Sequence, residues 1–139
     1  MKTMIRIVSL SYALISSGII YCQATKQKHV LDSKIHFGNF LPDSVYNVKT
    51  NEVLSADSVY INPSKGDVAG KVVSFDVYLL SGNMGITEVG YGNRLSKKQK
   101  ILISKVKSGQ LVYLQKIMVK IPGKEKTRLN SRFIFKVKN

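Results

Sequence analysis

The sequence predicts a mainly β fold, an antiparallel sheet or sandwich with one α-helix at about residues 96–108. Three observations predict it. Apolar residues alternate with a period of two over 71–80, 111–121 and 128–137, which is the pattern of strands. Clusters of Gly, Pro, Asn and Ser separate these runs at short intervals, as turns do. Only the stretch that opens at Ser96 changes to the 3.6-residue period of a half-buried helix.

In chain order, residues 1–24 read as a signal peptide ahead of one domain spanning 25–139. Lys2 and Arg6 supply a basic start, and Ile7 to Tyr21 form an apolar run of about fifteen residues interrupted by four serines. A membrane-spanning helix needs roughly 20 apolar residues, so this run is too short to cross. Cys22 and Ala24 offer small residues for cleavage. A lipid anchor on Cys22 is disfavoured because the bulky Tyr21 precedes it. Cys22 is the sole cysteine, so no internal disulfide forms and the exported domain must rest on its core. An apolar content of 44% is enough for one.

After a polar linker, Lys34 to Phe40 reads as a first edge strand. Ser44–Val48 and Asp57–Ile61 are two short strands with a turn at Asn51 between them, and Pro63 stops the second. Ser64 to Asp67 is a turn. Lys71–Leu80 puts Val73, Phe75, Val77 and Leu79 on one face, with Val72, Tyr78 and Leu80 on the other. Apolar residues on both faces suit an interior strand. Breaker clusters at 81–85 and 90–93 flank a short strand, Ile86–Val89.

Ser96 then acts as helix N-cap, and Gln99 completes a capping box. Leu95, Leu102 and Val106 share the buried face, Ile103 lies at its edge, and Lys97, Lys100 and Lys107 point away. Lys105 and Lys107 suit the last turn, where the helix dipole favours cations, and Gly109 suits the left-handed stop. The following strand presents Leu111, Tyr113, Ile117, Val119 and Ile121 on one face. A hairpin connection at 121–125 leads to Arg128–Val137, which returns with Phe133, Phe135 and Val137 together. Pro122 ends the preceding strand because it has no donor.

Charge is divided sharply along the chain. Residues 23–93 carry six basic and seven acidic side chains, whereas 94–139 carry fourteen basic side chains and a single acid, Glu125. The net charge of +14 therefore sits almost wholly in the second part and suits an anionic partner surface. Lysine on edge strands also suppresses aggregation, which is the plainer account of the same excess. On the helix, Lys97, Lys98, Lys100, Lys105 and Lys107 crowd together with no glutamate among them. Like charges three or four apart repel by a few tenths of a kcal/mol, so a helix selected for stability alone would intersperse acids. Lys97, Lys100 and Lys107 are the candidate partner-binding residues.

Motifs for chemistry are scarce. His29 and His36 have no second ligand pair for a metal cage. Gly90-Tyr91-Gly92 begins like a dinucleotide loop, but Leu95 stands where a third glycine is needed. The acids Asp57, Asp67, Asp76 and Glu88 show no spacing that pairs two of them, and no serine sits in a G-x-S-x-G elbow. Tyr46, Tyr60, Tyr78, Tyr91 and Tyr113 beside lysines resemble a nucleic-acid platform, yet an export signal argues against that ligand. No catalytic, cofactor-binding or metal-binding residue is assigned.

One stretch, NRLSKKQKILISKVKSGQLVYLQKI, resembles the last domain of GldM, the periplasmic shaft of the gliding-motility and type IX secretion motor. The similarity is carried by Asn93, Arg94, Leu95, Ser96, Gln99 and Lys100 on the helix. Lys107, Gly109, Gln110, Val112, Tyr113 and Ile117 continue it into the strand. Val72-Val73-Ser74-Phe75 and Phe133-Ile134-Phe135-Lys136 resemble two further strands of that domain, so the likeness runs from about Lys71 to the end. Leu114, Gln115 and Lys116 depart from it, standing where the family usually carries acidic residues. The resemblance implies a non-enzymatic exported protein–protein contact domain of the envelope, periplasmic or at the cell surface, with no cofactor or small-molecule substrate. The expected partner is an envelope protein with an acidic surface, and self-association is left open. The lack of a full-length transmembrane anchor and of preceding domains suits a stand-alone relative. An anion-binding module for envelope glycolipid or acidic polysaccharide is the alternative.

Overall fold

Ten elements are built from residues 34–63 and 70–138, which are the residues described by the computed structural model. The signal segment, Cys22, His29 and the turn at 64–67 lie outside them. In chain order the elements are β1 (Ile35–Phe37), β2 (Val45–Val48), α1 (Thr50–Ala56), β3 (Val59–Ile61), β4 (Lys71–Ser81) and β5 (Met84–Tyr91). Then come α2 (Lys97–Ser104), β6 (Leu111–Lys120), β7 (Thr127–Arg128) and β8 (Phe133–Val137). The fold is mainly β, as the sequence predicts.

β4 and β5 form a hairpin around Gly82-Asn83, with Gly82 at φ 59° as the first central residue. A side chain there would be strained, which is why such two-residue turns take glycine. The large sheet has the order β2-β8-β6-β4-β5, with β7 added alongside β6. Its pairs are antiparallel except β2–β8, which run parallel. β1 and β3 make a separate antiparallel ribbon.

This ribbon and the two helices cover one face of the large sheet. Phe37 of β1 is fully buried against Phe133 and Phe135, with ring centroids 6.0 and 5.7 Å away. Val53 of α1 and Leu102 and Ile103 of α2 join the same core, along with Phe75, Val77, Val112 and Leu114. Burying each such side chain contributes about 1.5–3 kcal/mol, so this layer of packing carries the fold.

Four local expectations are corrected. The turn expected around Asn51 is part of a second helix, α1, seven residues long. Glu52 accepts a 2.6 Å bond from the Lys49 N–H at its start, and Asp57 ends it in the left-handed region at φ 53°. The strand Ile86–Val89 is longer than expected and pairs with β4 over 84–91. α2 stops at Ser104 rather than near 108, so Lys105 is its C-cap and Lys107 lies beyond it. Gly109, at φ 87°, therefore turns the chain into β6, its N–H donating to Val137 O at 2.7 Å.

The fourth correction concerns the strand faces. Lys116 adopts φ 51°, and between the pairs Asp76↔Gln115 and Ser74↔Met118 the residues Lys116 and Ile117 of β6 lie opposite Phe75 alone on β4. This is a β-bulge, and an extra residue reverses which side chains face inward. Hence Val112 and Leu114 are buried before the bulge and Ile117 and Val119 after it, while Leu111 and Tyr113 sit on the opposite face. A compensating shift between Val72 and Ser74 buries Val72 and leaves Val73 half-exposed.

Candidate interaction site

The start of α2 is positioned by its capping residues. Ser96 caps it, its Oγ accepting from the Gln99 N–H at 3.2 Å, and Gln99 Oε1 accepts from the Ser96 N–H at 2.9 Å. That is the capping box the sequence predicts. Gln99 does more: it is fully buried, and its Nε2 donates to Phe75 O at 2.9 Å and to Glu88 O at 3.1 Å. One amide thus satisfies the Ser96 N–H at the helix start and ties it to both strands of the β4–β5 hairpin. Space for it comes from Gly90, where an added Cβ would lie 2.3 Å from Gln99 Oε1.

α1 and α2 lean together beside an open groove of about 640 Å³ lined by Leu54, Leu95, Lys97, Lys100, Ile101 and Ser104. Its wall is tied by Asp57. Arg94 Nε and Nη2 donate to Asp57 Oδ2 at 2.8 and 2.5 Å, and Lys100 Nζ lies 2.8 Å from Oδ1. The Asp57 C=O also accepts from the Leu95 N–H at 2.8 Å. The ammonium of Lys100, and then Arg94, hold the Asp57 carboxyl below its ordinary pKa against the opposing effect of burial.

The structure separates the three candidate lysines. Lys97 and Lys100 are exposed side by side on the groove, but Lys100 already has a counter-charge. Among the described residues, no carboxylate pairs with Lys97, Lys98, Lys105 or Lys107. Lys107 lies past the helix, where its N–H donates to Gln110 Oε1 at 2.8 Å, and it does not line the groove.

Two other residues singled out from the sequence, Asp76 and His36, have local roles. Asp76 is buried on the far face of the sheet, 3.7 Å from Lys116. His36 stacks on Tyr60 at 5.3 Å. Sequence reasoning missed Asp57 as the link between α1 and Arg94. Its partners lie 37 and 43 positions away, and no local pattern marks such a pairing.

A β-sheet backed by helices, with a basic helix flanking an open groove, defines a β-rich domain whose exposed chemistry is that of a contact surface. Residues 61–138, more than half of the chain, match the family model described as the GldM C-terminal domain. The chain belongs to that family, a structural domain family of the gliding-motility apparatus. Comparison with curated proteins found no match.

Proposed function

We propose that this chain is a non-enzymatic exported domain that makes protein–protein contacts in the bacterial envelope, docking an acidic partner surface on the basic side of α2. Membership of the GldM C-terminal domain family carries the contact role. The unpaired lysines support the charge of the partner. Lys97 lines the groove with no carboxylate beside it among the described residues, while Leu54, Leu95 and Ile101 give the same groove an apolar floor. Apolar centre and charged rim are the usual anatomy of a protein contact. Among the described residues no helix is long and apolar enough to cross a membrane.

Affinity capture from the native envelope, with mass spectrometry, identifies the partner. The combined variant Lys97→Glu, Lys100→Gln, Lys107→Glu then tests the surface. Glutamine at Lys100 avoids setting a second carboxylate against Asp57. The variant should fold normally and associate about tenfold more slowly or worse, with a weaker salt dependence. An unchanged rate and salt dependence in a folded variant would remove α2 from the contact.

A further inference from the structure

We infer that the free edge of β5 is a strand-addition site for an extended partner segment in which apolar and acidic residues alternate. This rests on the contact-domain reading and names where and how the partner is held.

The two edges of the large sheet are built differently. β2 is four residues long, with Pro42 just before it and α1 just after. β5 has eight residues, MGITEVGY, paired to β4 in unbroken register from Ser74↔Tyr91 to Ser81↔Met84. It contains no Lys, Arg or Pro and no bulge, devices that ordinarily blunt an edge, and its single charged residue, Glu88, is half-buried on the α2 side. Met84, Ile86, Val89 and Tyr91 are instead exposed large apolar side chains, Tyr91 at 85%.

The register says which backbone groups are open. The Gly92 N–H donates to Val73 O at 2.7 Å, so Ser74↔Tyr91 is a pair that does not exchange hydrogen bonds. By alternation Gly85, Thr87, Val89 and Tyr91 turn their N–H and C=O groups away from β4. Among the described residues nothing pairs with them. The strand is also stiffened on both sides: Gln99 lies over Gly90, and the Tyr78 ring lies over Gly85, where a Cβ would come within 2.4 Å of it. An unbroken row of outward-facing donors and acceptors admits an extended chain, because only a strand matches its spacing.

Charge chooses the occupant. α2 is fastened over β5 by Gln99 and brings Lys97 and Lys98 to the side of the sheet that also carries Met84, Ile86 and Glu88, so two ammonium groups stand against one carboxylate there, while Val89 and Tyr91 point to the other side. An added strand alternates faces, so carboxylates on one and apolar side chains on the other meet both. A second copy fits worse. Antiparallel β5–β5 pairing about a twofold axis sets both α2 helices on the same face of the joined sheet and brings two chains of net charge +14 together.

The test uses the full chain and three capped octapeptides: (Val-Glu)4, (Val-Lys)4, and (Val-Glu)4 methylated at every backbone nitrogen. (Val-Glu)4 should slow amide exchange at Thr87, Val89 and Tyr91 at least about tenfold, as a new hydrogen-bonded strand does. (Val-Lys)4 should bind at least about tenfold more weakly, and the methylated peptide should give no protection. Val89→Pro should remove the effect, with Thr87→Pro as a second variant if the first fails to fold. Equal binding of the methylated peptide, or absence of protection, overturns the inference. So does protection that arises in the protein alone together with dimer formation in sedimentation. If Val89→Pro loses the peptide yet joins the captured envelope partner at the normal rate, the inference falls and the contact-domain reading stands. If the normal chain captures no partner, that reading falls while the peptide result decides the strand site independently.

Discussion

α1 and α2 form the two walls of one groove, yet they are held in opposite ways. α2 is secured along its length: Leu102 and Ile103 enter the core, and Gln99 reaches through to the β4–β5 backbone. α1 buries Val53 completely and little else, and depends on its ends, where Glu52 satisfies the first N–H and Asp57 holds the last turn to Arg94 and Lys100. A two-turn helix is unstable in isolation, so terminal contacts decide whether it exists. The difference implies that α2 is the fixed wall and α1 the one that loosens first.

The largest effect should come from emptying the core under the fixed wall. Leu102→Ala should cost about 2–5 kcal/mol in chemical denaturation, whereas Val53→Ala under α1 should cost only about 1–2 kcal/mol. Equal losses would break the contrast. Next is the Gln99 tie. Gln99→Ala should cost about 1–3 kcal/mol by stripping a buried network, and Gly90→Ala a similar amount by driving a methyl into the Gln99 amide. In the double variant the Gly90→Ala penalty should largely vanish, because its obstacle is gone. Additive losses would show that Gly90 is needed for some other reason.

Asp57 gives a pH-dependent effect confined to α1. Its carboxyl titrates lower in the folded state than in the unfolded chain, so the folded state binds fewer protons there and stability rises with pH through that window. The contribution is complete above the ordinary aspartate range near pH 4 and disappears as pH falls through the lowered folded value. The stability gap between the normal chain and Asp57→Asn should therefore close on acidification, with exchange protection lost first in α1. A gap that persists at low pH would mean that packing, not charge, holds the turn.

The smallest effect separates neighbouring lysines. Lys100→Ala should cost no more than about 1 kcal/mol, because Lys100 and Arg94 are 45% and 74% exposed and water screens the pair. Lys97→Ala should change stability by under about 0.5 kcal/mol, since it has no such partner among the described residues. If the two are indistinguishable, the link from Lys100 to Asp57 contributes nothing in solution.

What the sequence determined by itself was whatever local pattern enforces. The capping box of Ser96 and Gln99, the inward set Phe133, Phe135 and Val137, and the interior character of β4 all follow from spacing and residue type. The tertiary structure decided everything that depends on distant partners. α1 has too few turns for a helical period to stand out, and it forms because Val53 finds a core and Asp57 finds Arg94. The inward face of β6 changes at Lys116 because the mismatch with β4 can be absorbed only where two strands meet. The second role of Gln99 and the bare edge of β5 are likewise products of assembly. A buried amide and an open strand edge exist only once the neighbours that cover one and leave the other bare have been placed.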